Sequence, residues 1–440
     1  MAGTLRRGLR WLAIAVGGLL MVLVLAWSVS RLWPMPPDQM RALALMHEGA
    51  PAEGRNGYAL LWTLDRDGMD GAARAQALAL DAEQWRLRAK LEDGTAALRG
   101  RVHLDPQGRC PGRGRGCLAA VRADPERFAR AHAGHDRLHE RVAALGGFDH
   151  FTGPWVHDVA ALMPPFPVYT SMVDPAAGHA LAYVQGDIDG GLHGLCSGMV
   201  AGRKLLGGSD SLLGSMVGAS LIEINGNVLG DVLAELRAEV VLPAACEDAL
   251  KPMQASEMSL CRPLQGELAL SAMAQQASLR EARWTGLLFD TRRSLSRIAS
   301  QQSWACDPAL QDLLAEDHPI PAPPRLERGV DCFANAIGCI LADIAGPGYL
   351  PYGGRSQDAA AMVRLLGAQR WLRFQSQAPA MALRELPAML RSATRTPSVS
   401  EDGRWLQLPR HGGDPHDPQQ SLLRVPLFPA AVGVAQPGSD

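Results

Sequence analysis

The sequence is poor in lysine, in aromatic residues and in net charge. It has three lysines (Lys90, Lys204 and Lys251) among 43 basic residues, which we interpret first as coding bias. Aromatic residues make up 5% of the chain, and its formal net charge is −2. Nucleic-acid-binding proteins usually carry a strong basic excess, and single-strand binders add aromatic stacking platforms. The composition therefore argues against a nucleic acid partner.

The sequence also lacks the short motifs of several enzyme classes. It contains no G-x-S-x-G, S-x-x-K or H-E-x-x-H motif, no P-loop, and no G-x-G-x-x-G after a predicted strand. Since catalytic residues can also come from distant parts of a chain, these absences lower the expectation of an enzyme without excluding one. We predict no catalytic residue and no cofactor from the sequence.

What the sequence does contain is a long apolar segment near its beginning. Residues 11–30 include no charged side chain, and at 1.5 Å per residue a helix of this length covers about 30 Å, the thickness of a bilayer core. Three arginines precede the segment and one follows it: Arg6, Arg7, Arg10 and Arg31. This pattern predicts a transmembrane helix.

The charge distribution around residues 11–30 also predicts an orientation. By the positive-inside rule, residues 1–10 stay in the cytoplasm and the body is exported, which predicts a single-pass protein of the inner membrane with its body in the periplasm or outside the cell. The alternative is a cleaved signal peptide with a small-residue site such as Ser28–Ser30. The apolar region of such peptides usually has only about 7–15 residues.

The rest of the chain predicts a mainly α-helical body. A proline-rich spacer, residues 31–37, leads into a helical domain at 38–400, and an extended tail follows at 401–440. Asp124-Pro125-Glu126 is a helix-start signal, and a continuous helix is expected from there to Gly146. Further helices are expected at about 264–284, 287–302, 332–345, 356–376 and 379–392. Two short apolar runs of the tail, 405–408 and 422–425, predict a β-hairpin.

Eight cysteines follow the apolar segment, and an even number in an exported domain predicts disulfides. Cys110 and Cys117 flank a turn-forming segment and form the first expected pair. Cys246 and Cys261 are expected as the second. Cys332 and Cys339 are expected about 10 Å apart on one helix, too far to bridge each other. They are expected to reach the last two cysteines in either order, Cys196 and Cys306.

The segment between Cys110 and Cys117 carries a cluster of positive charge. Arg109, Arg113 and Arg115 would stand on a small covalently closed loop, which has less ordering entropy to lose on binding than an open loop. Guanidinium groups fit phosphates and carboxylates. The loop therefore predicts a contact with an anionic lipid, a glycan or an acidic partner, and its alternative role is that of a soluble helix connection.

Three histidines offer the best metal-ligand spacing. His132, His135 and His139 would lie on neighbouring turns of one helix, where two imidazoles can hold a transition metal. The sequence names no further ligand for them, so packing or solvation is the preferred interpretation. We predict no metal site.

Two glycine pairs mark close helix packing. Gly214 and Gly218, and then Gly226 and Gly230, repeat a small-xxx-small spacing in one helical region. Each internal glycine costs about 1 kcal/mol in helix propensity relative to alanine. Internal packing is the preferred interpretation, and dimerisation is the alternative.

These observations favour a membrane-tethered interaction or assembly protein of the cell envelope, with an envelope protein, anionic lipid or glycan as partner. One alternative is an envelope hydrolase assembled from distant residues, with candidates in the segment 149–158. Another alternative is a protein that binds a lipid between its helices.

Overall fold

The computed structural model describes residues 2–47, 52–90, 105–154, 166–281, 286–412 and 421–428. The helices of the first half are α1 (Ala2–Leu32), α2 (Pro37–His47), α3 (Tyr58–Trp62), α4 (Gly71–Lys90), α5 (Cys117–Ala123), α6 (Pro125–His132), α7 (Asp136–Ala144), α8 (Thr170–Val173), α9 (Pro175–Val184), α10 (Ile188–Gly208) and α11 (Leu212–Glu235). Those of the second half are α12 (Ala244–Leu250), α13 (Ala255–Met258), α14 (Cys261–Glu281), α15 (Thr291–Gln302), α16 (Pro308–Ala315), α17 (Ala336–Ala345), α18 (Leu350–Leu372) and α19 (Pro379–Ala382).

Within the described residues, two helices are long and apolar enough to cross a membrane. The most apolar part of α1 is fully exposed, as in a membrane anchor or a signal sequence. In α11, 67% of the most apolar window is buried inside the body, so this helix belongs to the core. A proline-containing link separates the end of α1 at Leu32 from the start of α2 at Pro37.

Helices α10 and α11 pack along each other at the centre of the body, and α18 lies against α11. Glycine permits the close approach of α10 and α11. A Cβ on Gly218 would lie 2.6 Å from the Gly202 carbonyl oxygen. Gly226 and Gly230 face side chains of α18 and of the C-terminal sheet. Internal packing is therefore confirmed for Gly218, Gly226 and Gly230, whereas Gly214 faces the side chains of Ser209 and Tyr169.

The expected helix from residue 125 to Gly146 is divided in two. Asp124 caps α6 as predicted, since its side chain accepts a hydrogen bond from the Arg127 amide. Gly134, however, has a positive φ of +75°, which a continuous helix cannot include. The chain starts again at α7, and His135 stands before its first turn.

The C-terminal hairpin is confirmed, and a third strand extends it. The strands β1 (Ser398–Val399), β2 (Trp405–Pro409) and β3 (Leu422–Pro426) form an antiparallel sheet in the order β1-β2-β3, with Leu406 opposite Val425. Alternate residues of β2 and β3 are buried against α11 and α18. The helix expected at 379–392 is wrong. Only the short α19 and two 3-10 turns occur there, because Pro387 interrupts the segment.

All eight cysteines are paired, as Cys110–Cys117, Cys196–Cys246, Cys261–Cys306 and Cys332–Cys339. The predicted loop disulfide is confirmed.

Two other pairing predictions are wrong. Cys246 bonds to Cys196 instead of Cys261, because α12 packs against α10. Cys332 and Cys339 bond to each other, with their Cα atoms 5.8 Å apart. They do not share a helix, since Cys332 lies in a 3-10 turn and α17 begins only at Ala336.

Candidate anion-binding site

A polar cavity of about 300 Å³ opens between the Cys110–Cys117 loop, α11, α18 and the sheet. Its charged lining consists of Arg113, Arg115, Arg355, Arg410, Glu223 and Asp358. Four guanidinium groups against two carboxylates give this lining a formal excess of two positive charges. Met216, Ala219 and Leu423 add an apolar wall.

The disulfide-closed loop presents its arginines to the cavity because it sits directly on the backbone of α11. Gly114 has a φ of +88°, and a Cβ there would lie 2.4 Å from the Ile224 carbonyl oxygen. Asn227 of α11 donates a hydrogen bond of 2.9 Å to the Arg113 carbonyl oxygen. Arg113 itself has left-handed backbone angles, φ 56° and ψ 42°. The left-handed backbone angles and the contacts with α11 together determine the conformation of the loop.

Glu223 joins three parts of the chain at the cavity wall. Its carboxylate accepts hydrogen bonds from Arg410 at the end of β2 and from Arg113 at 3.4 Å. Only 9% of the Arg410 side chain and 12% of the Glu223 side chain are exposed, whereas 64% of the Arg113 side chain is. Arg410 and Glu223 thus form the fixed base of the site, and Arg113 extends into solvent.

Arg115 lies among like charges. Burial lowers the pKa of its guanidinium, and the nearby positive charges of Arg410 and Arg424 lower that pKa further against the opposing effect of Glu223. One of its terminal nitrogens donates to the Leu422 carbonyl oxygen at 3.3 Å. A bound anion would relieve the repulsion among these arginines.

The opposite wall belongs to α18. Among the described residues Arg355 has no ion pair, and its guanidinium lies 5.3 Å from the centre of the Tyr352 ring. The carboxylate of Asp358 accepts hydrogen bonds from the backbone amides of His411 and Gly412, at 2.8 and 3.0 Å. These bonds hold the end of β2 against α18.

A buried ionic network stands behind this wall. Arg395 donates to Asp358 at 2.6 Å and to Asp317 at 2.9 Å. Arg364 also pairs with Asp317, and the side chains of all four residues are at most 9% exposed. Because Arg395 neutralises Asp358 from behind, that carboxylate removes little positive potential from the cavity.

A second cavity of about 240 Å³ adjoins the first on the other side of Arg115. Its lining combines charged, amide and aromatic groups: Arg424, Asn227, Asp231 and Trp405. Burial, together with the negative charge of Glu235, raises the pKa of the Asp231 carboxyl to about 6. Arg115 can therefore contact a ligand that enters from either side.

The structure brings two of the three predicted loop arginines together. Arg113 and Arg115 line the cavity, whereas Arg109 forms a 2.8 Å ion pair with the buried Asp174 on another side of the loop. Sequence reasoning missed Glu223, Arg355, Asp358 and Arg410. The available signal was the carboxylate that ends the apolar run 212–222 of α11, and it identifies Glu223.

The structure groups a different set of three histidines from the one that the sequence spacing singled out. His132 and His139 approach with ring nitrogens 3.3 Å apart, and His179 of α9 stacks edge-on against His139. His135 stands before α7 without joining them. Burial lowers the pKa of His139 to about 4 and that of His179 to about 3. These rings form a buried, neutral stack between α6, α7 and α9.

The structure describes only part of the segment named for a hydrolase. Residues 155–158 lie outside the described residues. His150 is buried and its Nδ1 lies 2.9 Å from the Thr152 hydroxyl, whereas Asp149 faces solvent. Nearby, burial raises the pKa of the Asp210 carboxyl to about 6, and this carboxylate accepts a hydrogen bond from the Gly153 amide. These contacts link residues 150–153 to the start of α11.

A cluster of potential metal ligands occurs at Asp331, Cys332 and Cys339. Both sulfurs belong to one disulfide, so they cannot act as thiolate ligands.

Comparisons with protein-family models, curated proteins and solved structures found no match to this chain.

Proposed function

We propose that this chain is a membrane-anchored interaction protein of the cell envelope that holds an anionic group of its partner molecule in the arginine-lined cavity. The observation that carries the proposal is the convergence of Arg113, Arg115, Arg355 and Arg410 on one cavity. The ligand group is a phosphate or carboxylate, for which the planar guanidinium offers paired donors.

The division of the arginines between fixed and exposed positions supports binding. Arg410 is already neutralised by Glu223, so it shapes the site. Arg113 and Arg355 are exposed and can turn toward a ligand, while Arg115 stands between the two cavities. A ligand with an anionic group and a short polar or apolar extension fits this arrangement.

Catalysis has less support at this cavity. The hydroxyl of Ser220 is the only described one in the lining, and it donates to the Met216 carbonyl oxygen at 2.9 Å. Nucleophilic catalysis would need this hydroxyl beside a general base. The geometry therefore favours binding over hydrolysis.

Anion titration of the purified protein tests the proposal. Thermal unfolding is followed in increasing sodium phosphate or citrate at constant ionic strength, with chloride as the reference anion. A ligand that binds only the folded state raises its stability by about 2.7 kcal/mol at 100 times Kd. We expect one of the two anions to raise Tm above the chloride value.

The matched variants carry two substitutions each. Arg113→Gln with Arg355→Gln removes two exposed cavity arginines, and Arg384→Gln with Arg404→Gln removes two exposed arginines elsewhere. Since a hydrogen bond to a charged group contributes about 1.5–3 kcal/mol, the cavity variant should raise the apparent Kd at least about tenfold. An equal response of both double variants would contradict the proposal.

A further inference from the structure

The outer face of α17 is apolar and exposed. Its large side chains recur at helical spacing on one side: Phe333 just before the helix, then Ile340, Leu341 and Ile344, which are 43–72% exposed. The opposite side, with Cys339 and Ala342, is buried against the body. A helix on the surface of a globular body normally exposes its polar side to water, whereas α17 exposes an apolar side.

Exposed leucines of a neighbouring loop continue the apolar face. Leu287 and Leu288 are 52% and 45% exposed. The Leu288 carbonyl oxygen accepts a 3.1 Å hydrogen bond from the Ile337 amide at the beginning of α17. The disulfide between Cys332 and Cys339 braces the turn that precedes the helix. Loop and helix thus form one surface.

This surface is joined to the last turns of α1. The indole nitrogen of Trp27 donates to the Leu287 carbonyl oxygen, and the Ser30 hydroxyl accepts a 2.8 Å hydrogen bond from the Ala334 amide. Arg31 pairs with Asp290 at 3.4 Å. The surface is therefore held at the level of residues 27–31, where the apolar part of α1 ends.

We infer that the α17 face and the Leu287-Leu288 loop lie in the interfacial layer of the same bilayer that α1 enters. The inference rests on the membrane anchoring in the proposed function. A bilayer has about 10–15 Å of headgroup region beyond its hydrocarbon core, counted over both sides. A membrane that covers α1 as far as Ser30 must therefore meet side chains held beside Trp27 and Ser30.

This second contact would orient the body. A single helix leaves its attached domain free to tilt, whereas an apolar helical face beside it adds a contact line in the plane of the membrane. Because the apolar surface is continuous with α1, the lipid that surrounds α1 also covers this surface.

Depth-dependent fluorescence quenching tests the inference on the full chain. The protein carries an added cysteine with an environment-sensitive dye and is reconstituted in phosphatidylethanolamine–phosphatidylglycerol vesicles with nitroxide-labelled lipid. The positions are Ile344→Cys on the face, Val24→Cys in α1, and Val241→Cys as a control. Val241 lies beside the C-terminal end of α18, whose 23 residues extend about 34 Å from the end that follows α17. Ile340→Cys repeats the measurement in case the first variant fails to fold.

Three results decide the matter. We expect quenching at 344 or 340 to be several times that at 241, with strong quenching at 24. Strong quenching at 24 with equal values at 344 and 241 would overturn the inference and leave the anchor intact. Absence of quenching at 24 would overturn the anchoring and the inference together.

Discussion

At the scale of single residues, buried ionisable side chains interact closely with one another, as His132 and His139 do. His132 donates from Nε2 to the Gly108 carbonyl oxygen at 3.0 Å, which leaves its Nδ1 as an acceptor for the Nε2–H of His139. These directions require that the His132 ring is neutral. A Cβ on Gly178 would lie 2.4 Å from the His139 ring, so the stack has no room to separate. Protonation would place positive charge in an unsolvated contact.

The first prediction is that mildly acidic pH lowers the free energy of unfolding. Burial, followed by the charge of His132, lowers the pKa of His139 to about 4 in the folded protein, against 6.5 ordinarily. Between these values the unfolded chain binds more protons than the folded one, so stability falls as the pH drops from 6.5 toward 4. The loss from this group is on the order of 3 kcal/mol. Denaturant unfolding at several pH values measures it.

Two variants separate this effect from general acid sensitivity. His139→Leu should reduce the slope of stability against pH between 4 and 6.5, and the buried His179, whose pKa is lowered to about 3, accounts for the slope that remains. Substitution of the exposed His47 by Gln should leave the slope unchanged. An unchanged slope in a folded His139→Leu protein would contradict the assignment.

The second prediction concerns Arg395, which holds Asp317 and Asp358 in a buried network. Removal of one partner from a buried ion pair leaves an uncompensated charge and costs about 3–5 kcal/mol. Arg395→Ala should lower the free energy of unfolding by this amount. Arg404→Ala, which breaks the exposed pair with Asp402, should cost at most about 1 kcal/mol. Equal costs would contradict the structural role of the network.

At the scale of elements, the cavity depends on how three segments meet α11. The disulfide-closed loop contacts its backbone, β3 packs against its side, and α18 lies beside it. Arg113, Arg410 and Glu223 come together only because these contacts hold. The Arg410–Glu223 pair joins residues 187 positions apart.

The third prediction concerns Gly114, where loop and helix approach most closely. Gly114→Ala introduces a Cβ into the Ile224 carbonyl oxygen at a positive φ, so the loop must lift from α11. We expect a loss of about 1–3 kcal/mol in stability and weaker phosphate or citrate binding. Gly112→Ala at φ +50° shares the left-handed backbone, but its Cβ would meet only the Arg115 Cβ at 3.7 Å, an ordinary contact, and it should affect binding less. Tm and the apparent Kd of both variants check this.

The elements that the sequence predicts correctly are those with local signals. Asp124 and Pro125 mark the start of α6, the apolar run marks α1, and two alternating segments mark the C-terminal hairpin. The break at Gly134 was missed because glycine is also tolerated within helices. The pairing of Cys196 with Cys246 was missed because it depends on the packing of α12 against α10, which has no local signature.

At the scale of the whole molecule, a long apolar helix leads into a disulfide-braced helical body. Half of the cavity arginines could be predicted, because Arg113 and Arg115 belong to one short loop. Arg355 and Arg410 could not be predicted, because nothing in the sequence near them distinguishes them from other surface arginines. Only the packing of α18 and the sheet against α11 places them near Glu223. The body thus presents an arginine-lined cavity, the proposed anion site, whose parts span more than 290 residues of chain.

The fourth prediction addresses this site in its native setting. The tagged full-length protein and its two double variants are solubilised gently from their membrane, and the co-purifying molecules are identified by mass spectrometry. We expect the wild type and the Arg384→Gln, Arg404→Gln control to retain one phosphate- or carboxylate-bearing lipid, glycan or protein. The Arg113→Gln, Arg355→Gln protein should lose it. The same molecule on all three proteins, or the same absence from all three, would contradict an arginine-lined binding site.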